Sequence, residues 1–142
     1  MDWRSSAVSQ ENVDILRAVA DHWNAGDRDL TTIAAYFDPA IELESPFSSV
    51  AGEPYRGHAG LEQWGRDVDE QFAEWSIALG DIRVAGNAVI AMSHIYGRGR
   101  ASGVVVDFPC AAVACFGSHH LITRVRIYLE VGEALRAVGL EE

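Results

Sequence analysis

Glu42 and Glu44 stand two residues apart in Ala40-Ile41-Glu42-Leu43-Glu44-Ser45, a strand-like run that stops at Pro46. Period-two alternation puts both carboxylates on one face and Ile41 and Leu43 on the other. A carboxylate turned into a cavity instead of water is desolvated, which raises its pKa toward the range useful for proton transfer. Glu44 is therefore the leading candidate for a general base, with Glu42 beside it as a ligand contact. The same two acids would serve equally as a solvated edge, paired with arginines such as Arg98 or Arg124.

His94 and Tyr96 share one face of a later strand with Ile90 and Met92. A histidine facing a cavity could exchange a proton with Glu44 or a substrate, and a tyrosine could donate to a developing oxyanion; a hydrogen-bonded core histidine and a packing tyrosine fit the pattern as well. Asp107 stands out in Val104-Val105-Val106-Asp107-Phe108, because an unpaired carboxylate in a buried strand costs several kcal/mol. Folding the hairpin about Arg100 and Ala101 sets Asp107 opposite His94, and a one-residue change of register sends it to the outer face. Trp23, Tyr36, Trp64, Phe72 and Trp75 could wall a pocket for an apolar ring system, with Val113, Val125 and Ile127 from the later strands. At helical spacing, Trp23 and Trp64 also read as plain core.

The elements that must position these groups follow from periodicity. From Ser9, an expected N-cap, Val13, Leu16, Ala20 and Trp23 recur at helical spacing up to Gly26, leaving residues 1–8 as an expected flexible tail. Asp29 caps an expected second, shorter helix with Leu30, Ile33, Ala34 and Phe37, ended by Asp38-Pro39. After the acidic strand and a loop from Pro46 to Pro54, a third helix carries the stripe Leu61, Trp64, Val68 and Phe72. Four strands then follow, Trp75 to Val84, Ala88 to Tyr96, Val104 to Phe116 and Leu121 to Leu129, as an antiparallel meander. A last helix, roughly Gly132 to Val138, packs Leu135. Helices first and a curled antiparallel sheet after make an α+β domain spanning 1–142. The strand from Val104 is apolar on both faces, so the sheet needs a second cover, which a homodimer across the outer face would supply.

The 142 residues are 49% hydrophobic, enough for one domain with a modest cavity. All 11 basic residues are arginine, against 21 acidic ones, and the net charge of −10 repels polyphosphate and anionic membrane surfaces; neither nucleic acid nor membrane is an expected partner. The start lacks a basic segment followed by an apolar run, and a cytoplasmic location is expected. Cys110 and Cys115 are five apart in a strand and point to opposite faces, so they cannot bridge each other. The five histidines lack helical metal-ligand spacing, and neither metal nor cofactor is expected. Gly97-Arg98-Gly99-Arg100 joins two strands and opens no helix, which excludes a phosphate loop of the nucleotide-binding kind. His119-His120 sits in a tight turn and is expected in solvent.

The phrases Trp23-Asn24-Ala25-Gly26-Asp27, Glu44-Ser45-Pro46, Tyr55-Arg56-Gly57-His58, Gly97-Arg98-Gly99-Arg100-Ala101-Ser102-Gly103 and Glu133-Ala134-Leu135-Arg136-Ala137-Val138-Gly139-Leu140, in this order of elements, resemble the SnoaL-like branch of the nuclear transport factor 2 superfamily over nearly the whole chain. The resemblance implies a cone-shaped fold with a deep pocket for a small apolar, cyclic or polyketide-like molecule. It implies no one reaction, since members include isomerases, cyclases, dehydratases and hydrolases as well as proteins without known catalysis; a cofactor-independent enzyme of one of these kinds and a non-catalytic binding or dimerisation domain are both expected readings. The ketosteroid isomerase base position falls on Ser45 and the oxyanion tyrosine on Val19. Relative to limonene epoxide hydrolases, Glu42 and Glu44 take the first-strand places, His94 and Tyr96 fall near the arginine and first aspartate, and Ile127 replaces the last aspartate. Neither the isomerase oxyanion hole nor the hydrolase triad is preserved; the candidate catalytic set, read from the residues themselves, is Glu44 as base, His94 and Asp107 as a relay, and Tyr96 as donor.

Overall fold

The computed structural model describes residues 3–26, 29–46 and 53–140, with side chains from residue 10 onward. A long helix, α1 (Trp3–Asn24), begins before the expected cap at Ser9, whose side chain lies outside the described residues. Residues 1–2, part of the expected tail, also lie outside them. α1 ends on Gly26 at φ +79°, where the missing Cβ permits the left-handed turn. Asn24 fastens this end to the sheet: its amide donates to the Ile77 carbonyl at 2.7 Å and its carbonyl accepts from the Ile77 N–H at 2.8 Å.

The expected second helix is a 3-10 turn, Ala34–Tyr36. Asp29 caps no helix; it closes a local turn, taking the Thr31 N–H at 2.9 Å and hydroxyl at 2.6 Å, and these two bonds hold its carboxyl below the usual range. The bonds fold Thr31 and Thr32 into a turn, and both are poor helix formers. The chain then extends at once, so β1 (Phe37–Glu44) starts three residues earlier than the sequence pattern suggests. Pro39 fits because the pairing of β1 is irregular between Phe37 and Glu42, where the Ala40 N–H bonds Asp38 Oδ1 instead of the ladder.

Most of the loop expected from Pro46 to Pro54 lies outside the described residues. β2 (Tyr55–Arg56) leads into α2 (Gly57–Gln71), which buries Leu61, Trp64 and Val68. His58 donates from Nε2 to the Phe37 carbonyl at 3.1 Å and so ties α2 to β1. The meander follows as β3 (Phe72–Ala85), β4 (Ala88–Gly99), β5 (Val105–Phe116) and β6 (Ile122–Tyr128). β1 closes it by pairing parallel to β6, giving the order β2-β1-β6-β5-β4-β3. Arg100, in the glycine-arginine turn, bonds the Asp69 and Phe72 carbonyls at 2.9 and 3.2 Å; the turn thus satisfies carbonyls at the end of α2. His119 is exposed as expected, but His120 is half-buried, its ring bonded to Asn12 Oδ1 at 2.9 Å and set 3.2 Å from Glu11 Oε2.

The main core lies between α1, α2 and the inner sheet face, with Ile41, Val89, Ala91, Ala114 and Ile122 wholly buried. A second core forms on the outer face, where α3 (Val131–Ala137) lays Ala134 and Leu135 against Ile90, Ala111 and Val113. This corrects the reason given for a dimer: the second cover over β4 and β5 comes from the same chain. Cys110 belongs to the inner core and Cys115 to the outer, and burial pushes the Cys110 thiol up to about 11.

Candidate functional site

Leu16, Val19, Ala20 and Trp23 form one stripe of α1, and Leu61 and Trp64 one stripe of α2. Both stripes face the inner ends of β1, β3, β5 and β6, which contribute Leu43, Ile77, Ala112, Val125 and Ile127. Between them lies a cavity of about 80 Å³ whose lining side chains are all apolar. A smaller space of about 20 Å³ adjoins it, sharing Trp64, Ile77 and Ile127 and reaching Phe72, Trp75 and Tyr96. Trp64 is the hinge of an aromatic cluster: its ring stands at 81° to Trp23, 5.1 Å between centroids, and at 83° to Trp75, 5.5 Å away. Edge-to-face stacking of this kind fixes ring positions beyond what burial alone does.

Of the residues expected to line a pocket, Trp23, Trp64, Val125 and Ile127 line the cavity, and Phe72 and Trp75 line the smaller space beside it. Trp23 and Trp64 also belong to the core, so the two readings of them coincide. Tyr36 packs against the core from the 3-10 turn without lining either space. Val113 faces the other way, into a groove of about 380 Å³ on the outer sheet face shared with Arg124, Arg126, Tyr128 and Val138.

The acids do not enter the cavity. Ile41 and Leu43, 0% and 4% exposed, take the inner face of β1, so alternation turns Glu42 and Glu44 outward. Glu44 bridges two arginines of the neighbouring strand, Arg124 Nη2 at 2.9 Å and Arg126 Nε at 3.4 Å. The bond from Glu44 raises the Arg124 guanidinium further above its ordinary value. Glu42 pairs with Arg56 at 3.5 Å, whereas Arg98 pairs with Glu74 at 3.0 Å. The expectation of a desolvated Glu44 is corrected: its carboxylate is matched by two cations on a solvent-facing surface.

His94 and Asp107 do meet, Nδ1 to Oδ1 at 2.7 Å, with 58% and 61% of their side chains exposed. Their strands pair Tyr96 with Asp107 and His94 with Pro109, so the two touch diagonally across the outer face. β6 and β5 separate Glu44 from His94, three strand spacings or roughly 14 Å at the least, too far for direct proton exchange. Tyr96 is opposite Asp107 and borders the smaller space. The lining residues not expected at a pocket, among them Leu16, Leu61 and Ile77, carried only an ordinary signal, the apolar stripes of the helices and strands. Among the described residues, no group of three or more potential metal ligands lies together, and no helix is long and apolar enough to cross a membrane.

A protein of ketosteroid isomerase-like fold from Catenulispora acidiphila, in complex with trimethylamine, superposes with a TM-score of 0.69 at 17% identity, covering 89% of this chain and 92% of that one. A proposed SnoaL-like polyketide cyclase from Jannaschia sp. CCS1 gives 0.72 at 13% identity, over 94% of each chain. The epoxide hydrolase/cyclase-like enzyme SalBIII, described in pyran ring formation in the polyether salinomycin, gives 0.70 at 17% identity, covering 87% and 93%. These likenesses establish the fold, a curved sheet wrapped by helices. No curated protein sequence matches. The model of the SnoaL-like domain matches residues 16–125, a stretch that includes every cavity-lining residue except Ile127, and the chain belongs to the SnoaL-like domain family.

Proposed function

We propose that this protein is a small-molecule-binding domain whose ligand, a small and mostly apolar molecule, occupies the cavity between the helices and the inner sheet face. The observation that carries this reading is the cavity itself, lined without exception by apolar side chains and walled on one side by Trp23 and Trp64. Ligand sites are commonly concave, largely apolar and preformed. Fold neighbours described as a polyketide cyclase and an epoxide hydrolase/cyclase-like enzyme support cyclic organic molecules as the class. The volume, about 80 Å³, is roughly half that of an engineered cavity that takes up benzene, so small rings are the fitting occupants. The placement of Glu44 and of the His94–Asp107 pair on the outer face favours binding over an acid–base enzyme built on these residues.

A panel of three- to six-membered-ring hydrocarbons, ethers and ketones, titrated into methyl-labelled protein, tests the reading. Saturable shifts confined to Leu16, Leu61, Ile77 and Val125 are expected; shifts centred on Val113 in the outer groove, or none from any member, would refute it. Glu44→Gln is expected to leave affinities within about twofold and to lower stability by about 1 kcal/mol or less, since an exposed ion pair contributes little. A tenfold loss of affinity in that variant, with the fold intact by circular dichroism, would return Glu44 to the binding machinery.

A further inference from the structure

Two indoles of the aromatic cluster meet different ends. Trp75 Nε1 donates to Asp69 Oδ1 at 2.8 Å. Trp64 Nε1 is shielded from solvent and has no hydrogen-bond partner among the described residues, on a side chain that borders both parts of the interior space and is 4% exposed. A buried indole N–H ordinarily finds an acceptor, because its bond to water has been given up. Trp23 and Trp75 stand nearly perpendicular to it, and an aromatic face returns a fraction of a lost hydrogen bond. A phenylalanine would fill much of the same space without an orphaned donor, so the nitrogen is a liability to the empty protein that an occupant can remove.

We infer that the molecule held in this cavity is neutral and carries a carbonyl, ether or epoxide oxygen that accepts the Trp64 indole N–H, while its hydrocarbon part packs against Ile77 and Ile127. The inference rests on the reading of the cavity as a ligand site. Neutrality follows from the lining: a carboxylate or ammonium entering it loses hydration and finds no counter-charge. An acceptor is required because the indole nitrogen donates and does not accept.

Cyclopentanone and methylenecyclopentane have nearly the same shape and differ in the acceptor, so they test the inference on the intact chain. Both are expected to bind, the ketone roughly 3- to 10-fold more tightly. The ketone alone is expected to move the Trp64 indole proton downfield, in a resonance assigned through its own backbone correlations. Trp64→Phe is expected to lower the ketone's affinity below that of the alkene, because its carbonyl then gives up water and finds no donor; if this variant does not fold, the indole shift in the unaltered protein decides. Equal affinities with an unmoved indole proton would overturn the acceptor inference and leave cavity binding standing. Absence of binding by either compound would overturn the binding reading and this inference with it.

Discussion

Trp23→Ala is expected to lower the stability of the protein by about 3–5 kcal/mol, the cost of deleting a large buried aromatic and leaving a hole behind it. Trp23 is 6% exposed, packs against both Trp64 and Trp75, and lines the cavity at the C-terminal end of α1. The site has little freedom to collapse, because the next residue, Asn24, is bonded at both ends of its amide to the backbone of Ile77 in β3. Set against a total of about 5–15 kcal/mol, such a loss removes about a fifth of the stability or more. In urea, with a slope of about 1–3 kcal/mol per molar, the midpoint should fall by roughly 2 M. The enlarged cavity should then take up benzene, which raises the midpoint again by mass action. A loss below about 1 kcal/mol, where ordinary surface substitutions fall, would mean that Trp23 does not pack as described.

The order of elements was legible because each one carries a period and a stop. Leu16 to Trp23 and Leu61 to Val68 repeat at helical spacing, and both stripes are buried. The 3-10 turn was not legible, since Leu30, Ile33 and Phe37 keep a helical spacing although the Asp29–Thr31 turn prevents the helix. The partnership of His94 and Asp107 could be read from the hairpin, but its face could not: β4 is apolar on both sides, with Val89 and Ala91 inward and Ile90 and Met92 outward, because α3 returns to cover the outer face. Alternation then fixes neighbours without saying which side holds the cavity. Glu44 is the instructive case. Its alternation sets it opposite Ile41 and Leu43, and only the burial of those two in the core turns its carboxylate outward. Hydrogen-bond satisfaction at Trp64 leaves no trace in sequence at all, as it depends on which acceptors the fold brings near.

The face assignment of β1 is open to a direct test, because moving a carboxylate by one residue moves it across the sheet. Leu43→Glu is expected to cost about 3–5 kcal/mol at pH 7, combining lost apolar burial with an unpaired charge at a position 4% exposed. If the acids faced inward and Leu43 lay on the solvent side, the same change would fall within about 0.5 kcal/mol. The pH dependence separates burial of charge from simple loss of packing. Desolvation disfavours the ionised form, so the new carboxyl should have a folded pKa above its unfolded value of about 4.3. Between those two values the folded state binds more protons, and stability falls as pH rises. The gap between variant and parent should therefore be smallest near pH 4.3, widen upward through the folded pKa, and stay flat beyond it. A gap that is large but independent of pH would mean that the side chain escapes to water through a local rearrangement of β1. A gap that is small at every pH would place Leu43 outside and return Glu44 to the cavity.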